Sequence, residues 1–236
     1  MSTRSRQILE NLAQVRERIQ NAAVNSGRSA AEITLVVVTK TYPISDIEIL
    51  YEAGERQFGE NRDQEGSVKS PAMPKDVHWH FQGQIQSNKI RSIVSWARTI
   101  HSLDNVLHAR KISQATPEGQ TRQLFIQANL ELTGAESEVA AHRGGIAPSS
   151  IIDFASSLTE FKNLELLGVM AVAPLGVNPS PFFEQVFSLS RQLQAQFPRA
   201  KYLSSGMSGD FEAAIATGAT HIRLGSSILG ARTPVI

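Results

Sequence analysis

The sequence predicts an α/β protein that folds as a single (β/α)8 barrel of the TIM type. Eight short segments rich in β-branched and aromatic residues alternate with helical patterns, which is typical of parallel βαβ units. The chain has 236 residues, and closed barrels of this kind commonly have roughly 250. Neither a GxGxxG motif nor a Walker loop follows the first strand, which argues against the alternative of an open, doubly wound sheet.

The predicted elements follow one another in a regular order. An extra amphipathic helix at 4–26 precedes the barrel and ends at Gly27, and its apolar stripe comprises Ile8, Leu12, Val15 and Ile19. The predicted strands lie at 33–40, 56–61, 77–83, 98–104, 122–130, 164–174, 201–206 and 221–230. Further helical patterns lie at 47–54, 88–97, 105–113, 181–197 and 210–218. We expect one domain that spans residues 1–236.

Composition excludes several classes of function. The net charge of +1 gives no general electrostatic reason to expect binding to nucleic acid or to an anionic membrane. Cysteine is absent, which excludes disulfides, thiolate metal sites and cysteine nucleophiles. The chain has no apolar run of membrane-spanning length and no secretory signal at its start, so we expect a cytoplasmic protein. A barrel without a further apolar face predicts a monomer.

Alternation along two strands predicts a polar barrel interior. His78, His80 and Gln82 share one face of the third strand, and His221 and Arg223 share one face of the eighth. Because helices cover the outside of such a barrel, the polar faces point inward, where they need partners, water or a polar ligand. Two histidines on one strand face could also hold a metal ion, but no carboxylate nearby completes a ligand set, so we favour a polar core.

Lys40 and two loops predict the place of the ligand. Lys40 ends the first predicted strand on the face of Val36 and Val38, which puts its amine at the C-terminal mouth, where sites in this fold lie. A primary amine there is a nucleophile for aldehydes; the alternative is an earlier strand end and a lysine that extends into solvent. The loops at 203–210 and 223–227 mix glycine with serine, which suits a phosphate. Pyridoxal 5′-phosphate (PLP) carries both an aldehyde and a phosphate.

The chain closely resembles the pyridoxal phosphate homeostasis protein family, also described as proline synthetase co-transcribed homologues. That resemblance implies a barrel similar to the N-terminal domain of alanine racemase, which is fold type III among PLP proteins. The matching segments occur in the family's order and are VVVTKTYP (36–43), FGENRDQE (58–65), HWHFQGQIQSNK (78–89), HSLDN (101–105), GVMAVAP (168–174) and LSSGMSGDFEAAIATGATHIRLGSSILGAR (203–232).

The resemblance also implies roles for individual residues. Lys40 matches the lysine that forms a Schiff base with PLP, and Arg223 matches the arginine that faces the pyridine nitrogen. The full set implied to bind the cofactor is Lys40, Asn61, Met170, Ser204, Gly206, Ser208, Arg223, Gly225 and Ser226. Gln82 departs from the family pattern, which has an aliphatic residue there, and the segment 127–145 lacks the usual lysine-serine-glycine stretch.

We expect a non-catalytic protein that holds PLP, with PLP-requiring apoenzymes as candidate recipients, and the family resemblance implies a part in the homeostasis of PLP and of amino and keto acids. Arginine stays protonated, so Arg223 would keep the pyridine nitrogen unprotonated and the ring a weak electron sink. One alternative is a weak PLP-dependent amino-acid racemase, which needs a second acid/base group, a tyrosine in enzymes similar to alanine racemase. The tyrosines of this chain are Tyr42, Tyr51 and Tyr202, and we expect Tyr42 to pack over the mouth. Another is an aldolase-type barrel that uses Lys40 on a phosphosugar.

Overall fold

Eight parallel strands close into a barrel in sequence order, with β1 paired to β8, so the predicted (β/α)8 barrel is confirmed. The computed structural model describes residues 2–130, 144–174, 176 and 178–230. The strands are β1 (Thr34–Val38), β2 (Gln57–Glu60), β3 (His78–Phe81), β4 (Thr99–Leu103), β5 (Arg122–Gln127), β6 (Leu164–Met170), β7 (Tyr202–Ser204) and β8 (His221–Leu224).

Helices surround the strands. Those that the structure describes are α1 (Thr3–Asn25), α2 (Ile44–Glu52), α3 (Asp63–Ala72), α4 (Ile90–Trp96), α5 (Val106–Ala115), α6 (Ile151–Leu158), α7 (Ser180–Gln196), α8 (Phe211–Ala216) and α9 (Ser226–Leu229). The sequence patterns did not predict α3, α6 or α9. The predicted eighth strand at 221–230 was wrong beyond Leu224, because Gly225 leaves the strand and α9 begins at Ser226.

The extra N-terminal helix forms as predicted. Its stripe of Ile8, Leu12, Val15 and Ile19 is buried, and this face packs against α2, α8 and α9. Ser2 caps the first turn by accepting a hydrogen bond from the backbone N–H of Ser5 (3.0 Å). Gly27 follows the helix with a φ of +69°, a left-handed conformation that glycine adopts without strain.

Alternate residues of each strand face two different buried regions. Residues such as Leu35, Ile222 and Leu224 face outward into the apolar layer between the strands and the helices. The alternate residues face the barrel axis, where His101 stacks on Phe125 with ring centroids 4.6 Å apart. The predicted polar interior is therefore confirmed, although Phe125 adds an apolar ring to it. Across the described ranges, no helix is long and apolar enough to cross a membrane.

Candidate functional site

A chain of hydrogen bonds runs up the barrel axis toward the C-terminal mouth. The His80 Nε2 lies 2.8 Å from Gln57 Oε1, the His80 Nδ1 lies 2.9 Å from His101 Nε2, and the His101 Nδ1 lies 2.8 Å from Ser204 Oγ. Arg223 Nη1 then donates to the same Ser204 oxygen at 2.6 Å.

The two ends of this chain decide its direction. An amide oxygen such as that of Gln57 only accepts, so a neutral His80 donates from Nε2 and accepts at Nδ1 from His101. His101 then accepts at Nδ1 from the Ser204 hydroxyl, which in turn accepts from the guanidinium of Arg223. Each hydroxyl and ring nitrogen in this series of hydrogen bonds thus has a defined role as donor or acceptor. At the end near the mouth, the Ser204 hydroxyl holds the Arg223 side chain.

Burial keeps the histidines of the interior neutral. It lowers the pKa of His80 and His101 well below the ordinary value of 6.5, and it lowers the pKa of His78 and of His221 to about 4. Burial also lowers the pKa of Arg223 to about 10, which leaves this guanidinium charged at neutral pH. Arg223 therefore places a fixed positive charge inside the barrel, at the mouth.

A cavity of about 270 Å³ opens above Arg223 at the mouth. Six of the nine residues that the sequence predicted to bind the cofactor line this cavity: Lys40, Asn61, Ser208, Arg223, Gly225 and Ser226. Larger cavities of about 550 and 720 Å³ lie at the amino ends of the strands, and neither includes Lys40. The mouth cavity thus brings together the amine, the guanidinium and residues of both predicted phosphate loops.

The other three predicted residues lie beside the cavity rather than along it. Met170 is buried in the barrel against Phe125, and Ser204 lies below the cavity in the hydrogen-bond chain. Gly206 has a φ of +96° and accepts a hydrogen bond from the Arg223 backbone N–H (3.0 Å). Ser204 and Gly206 thus position Arg223, and a direct role of the three residues in binding stays a prediction.

Lys40 lies in a tight turn, not in a strand. The first strand ends at Val38, two residues earlier than the predicted span 33–40. Thr39 is fully buried, and Thr41 has a φ of +70°, which is unusual for a residue other than glycine. Lys40 is half-buried and still lines the mouth cavity, so the turn places it as the sequence argument expected although the strand ends early.

A buried ion network holds this turn, and the sequence analysis missed it. Lys69 on α3 donates to the Thr39 carbonyl (2.8 Å), to Glu60 Oε1 (2.7 Å) and to Glu65 Oε2 (2.8 Å). The same Glu65 oxygen accepts from the Thr41 backbone N–H at 2.7 Å. Burial raises the pKa of Glu60 against the opposing effect of Lys69. The detectable signal was a glutamate on the outward face of β2, which needs a buried cation beside it.

The second predicted phosphate loop is fixed from outside the strands. Gly225 and Ser226 begin α9, and three side chains donate to the carbonyls that end it. These hydrogen bonds join Asn11 to Ile228 (2.9 Å), Arg4 to Leu229 (2.9 Å) and Tyr42 to Gly230 (2.6 Å). The N-terminal helix therefore helps to position the loop that carries Ser226.

The likeness of this chain to known proteins agrees with the site. The family described as "Alanine racemase, N-terminal domain" matches residues 8–233. A Mycobacterium leprae (strain TN) protein named "Pyridoxal phosphate homeostasis protein" is 36% identical over 245 residues, which cover 96% of this chain and 93% of that protein. The chain belongs to the pyridoxal phosphate homeostasis protein family.

A second relative and a solved structure extend the likeness. The protein of the same name from Escherichia coli (strain K12) is 38% identical over 239 residues, which cover 95% of this chain and 97% of that protein. The solved structure of PipY from Synechococcus elongatus PCC7942, with PLP bound, superposes with a TM-score of 0.79. It is 31% identical and covers 95% of this chain and 100% of its own.

The predicted polar pair on β3 has protein partners. His78 Nε2 lies 2.7 Å from the Thr99 hydroxyl, and His80 bonds to Gln57 and His101 as described above. Within the part of the chain that the structure describes, no group of three histidines or carboxylates is arranged to hold a metal ion. The segment 127–145, whose role the sequence left open, lies mostly outside the described residues.

Proposed function

We propose that this protein binds PLP at the mouth of its barrel and serves the homeostasis of this cofactor, as a carrier and not as an enzyme. The observation that supports this most is the single cavity that holds the Lys40 amine, the Arg223 guanidinium and the hydroxyls of Ser208 and Ser226. The family members named above bear the name of this function, and PipY has a structure with PLP bound.

The chemistry of the cavity fits the cofactor. PLP supplies an aldehyde that reacts with a primary amine, a pyridine nitrogen that accepts a hydrogen bond, and a phosphate. In the cavity, Lys40 offers the amine, Arg223 offers a buried donor, and Ser208 and Ser226 offer hydroxyl donors. Gln82 also lines the cavity, and its amide nitrogen is buried without a hydrogen-bond partner among the described residues, so a turn of the amide gives a ligand one more donor.

The environment of Arg223 supports the proposal that the protein is a carrier and not an enzyme. Its pKa of about 10 keeps it a cation, and it is held by the Ser204 hydroxyl (2.6 Å) and by the Ala171 carbonyl (3.2 Å). A fixed cation only donates hydrogen bonds, so a nitrogen that accepts from it stays unprotonated. The resulting neutral ring withdraws electrons weakly, which is poorly suited to stabilising a carbanion at a substrate Cα.

The positions of the three tyrosines also support a carrier over a racemase. Tyr42 lines the mouth cavity, but its hydroxyl donates to the Gly230 carbonyl at 2.6 Å. Tyr51 bonds to Asp76 on the outside of the barrel (2.8 Å), and the Tyr202 ring packs edge-on against His221 inside it. A racemase needs acid/base groups on both faces of its substrate, and no tyrosine of this chain is placed as a free second group at the cavity.

Trapping the bound cofactor tests the binding proposal. We expect the protein loaded with PLP to absorb visible light and, after borohydride reduction, to carry the pyridoxyl mass on the peptide that contains Lys40. Lys40→Met removes the amine and should abolish both signals, whereas Lys201→Met, a change at an exposed lysine after α7, should leave both intact. A label on another lysine, or none, would contradict the proposal.

A second experiment separates carrier from racemase. The loaded protein is incubated with single L-amino acids in deuterium oxide, and Cα deuterium and D-isomers are measured by mass spectrometry and chiral chromatography. A carrier gives neither product above the level of free PLP, whereas a racemase gives both. We also propose that the protein is a monomer that passes its cofactor to PLP-requiring apoenzymes; sedimentation and reactivation of an apoenzyme by the loaded protein test these two points.

A further inference from the structure

Gln82 follows β3 on the face that points into the barrel, and it lines the mouth cavity together with Lys40 and Asn61. Its Nε2 atom is buried and has no hydrogen-bond partner among the residues that the structure describes. Buried donors in proteins are nearly always paired, because burial removes the water that would otherwise accept from them. A bound ligand supplies the missing acceptor once the amide turns to present Nε2 to the cavity that Gln82 lines.

The Gln82 amide occupies the space that is left free by the absence of a side chain at Gly59 on the neighbouring strand. A Cβ atom added to Gly59 of β2 would lie 1.9 Å from the Gln82 Nε2 and 3.0 Å from the Val36 Cγ1. The Gln82 amide therefore lies directly over the Gly59 backbone on the inner face of the barrel. In the ligand-free protein Nε2 thus lies against Gly59, and it reaches a ligand by a turn of the amide toward the cavity.

The order of strands around the mouth decides which part of PLP faces Gln82. The sheet runs β7, β8, β1, β2, β3, so the phosphate loops and Gln82 lie on opposite sides of the Lys40 turn. In the pyridoxal ring, the carbon that bears the aldehyde lies between the carbon that bears the phosphate arm and the carbon that bears the ring hydroxyl. With the phosphate toward β7 and β8 and the aldehyde toward Lys40, the ring oxygen faces β2 and β3.

We propose that the Gln82 amide donates a hydrogen bond to the ring oxygen of the bound cofactor and so makes the cavity selective for pyridoxal ligands that carry this oxygen. This inference rests on the proposed function, because it takes PLP as the ligand. It assigns Gln82 as a residue that determines specificity, in addition to the nine predicted from the sequence.

Two probes that lack the aldehyde test this assignment without involving the Lys40 amine in a covalent bond. They are 4-deoxypyridoxine 5′-phosphate, which carries the ring oxygen, and its 3-deoxy analogue, which does not. A hydrogen bond to an uncharged oxygen is worth a preference of about threefold to tenfold, so we expect the wild-type protein to bind the first probe at least about threefold more tightly in titration calorimetry.

The variant Gln82→Met keeps the length of the side chain but cannot donate. We expect it to bind the two probes with nearly equal affinity, because only the first probe loses a hydrogen bond. Gln84→Met is the matched control: this exposed glutamine lies two residues further along and outside the cavity, so the preference should persist.

A stability measurement excludes a merely structural role for Gln82. Replacing an unpaired buried donor by an apolar group removes no hydrogen bond, so the ligand-free Gln82→Met protein should melt at the wild-type temperature or above it. A preference that survives in Gln82→Met, or a melting temperature that falls by several degrees, would overturn the assignment while leaving the proposed function intact. If neither probe binds the wild-type protein and borohydride labels no lysine, the proposed function fails as well.

Discussion

Acidification should destabilise the ligand-free protein through the histidines that lie inside the barrel. His221 has its pKa lowered from 6.5 to about 4, first by burial and then by its neighbours His78 and Arg223. In the unfolded chain the imidazole regains an ordinary pKa, so below about pH 6.5 the unfolded state binds a proton that the folded state refuses. The stability contributed by this neutral imidazole is therefore present at pH 7 and is lost as the pH falls toward 4.

The size of the effect follows from the two pKa values. Between pH 7 and pH 5, a shift from 6.5 to about 4 lowers the free energy of unfolding by about 2 kcal/mol for His221 alone. His78 has a pKa lowered to a similar value, and burial lowers the pKa values of His80 and His101 well below 6.5, so each of these adds a loss of the same sign. The wild-type protein should lose several kcal/mol over this range.

The assay compares urea unfolding at pH 7 and pH 5 for three proteins. In His221→Gln the loss of stability between the two pH values should be smaller than in the wild type by about 2 kcal/mol. Phe125→Leu removes a ring from the same layer but no ionisable group; it should be less stable at both pH values with an unchanged pH dependence. If His221→Gln loses as much stability as the wild type, to within about 0.5 kcal/mol, the imidazole is not buried in the neutral form and the reasoning is wrong.

Three further substitutions test the contacts that support the site and the barrel. Lys69→Met removes the cation beside the buried Glu60, and the unfolding free energy in urea should fall by about 3–5 kcal/mol, with partial recovery when Glu60→Gln is added. Ser204→Ala removes the acceptor of the 2.6 Å bond from Arg223, so stability should fall by about 1.5–3 kcal/mol and the PLP dissociation constant measured by absorbance should rise. Gly168→Ala should give no folded protein by circular dichroism, because its Cβ would lie 1.8 Å from a backbone oxygen of β7. Wild-type stability in either of the first two variants, or a native spectrum in the third, would contradict these contacts.

The barrel could be predicted because its signals are local and repeated. A strand in such a barrel reads as a short run with period two, and the inward positions of β3 and β8 are polar where the outward ones are apolar. The boundaries could not be predicted as well, since a strand ends where its neighbour stops pairing. β1 ends at Val38 although the threonine that follows suits a strand, whereas β8 ends at Leu224 because Gly225 leaves the strand.

Helix α3 shows why one supporting element of the site escaped sequence analysis. Its buried face consists of Asp63, Gly66 and Lys69, so it has no apolar stripe from which a helix would be predicted. Gly66 lies against the Trp96 ring, which a Cβ would approach to 2.3 Å, and Asp63 accepts from the indole N–H of the same tryptophan (3.1 Å). The partners that make these polar residues suitable for burial come from β2 and α4, which no local pattern can show.

The side chains that support the mouth cavity come from helices outside the strands that form its floor. On one side, Lys69 holds the turn that carries Lys40. On the other, Arg4 of the N-terminal helix donates both to Asp46 of α2, the helix that follows this turn, and to the last turn of α9, the helix that begins at the second phosphate loop. The N-terminal helix is additional to the (β/α)8 repeat, yet this one side chain joins the helices on both sides of the cavity. A ligand that bridges Lys40 and the loop at Ser226 therefore binds between two segments whose separation is already set by α1.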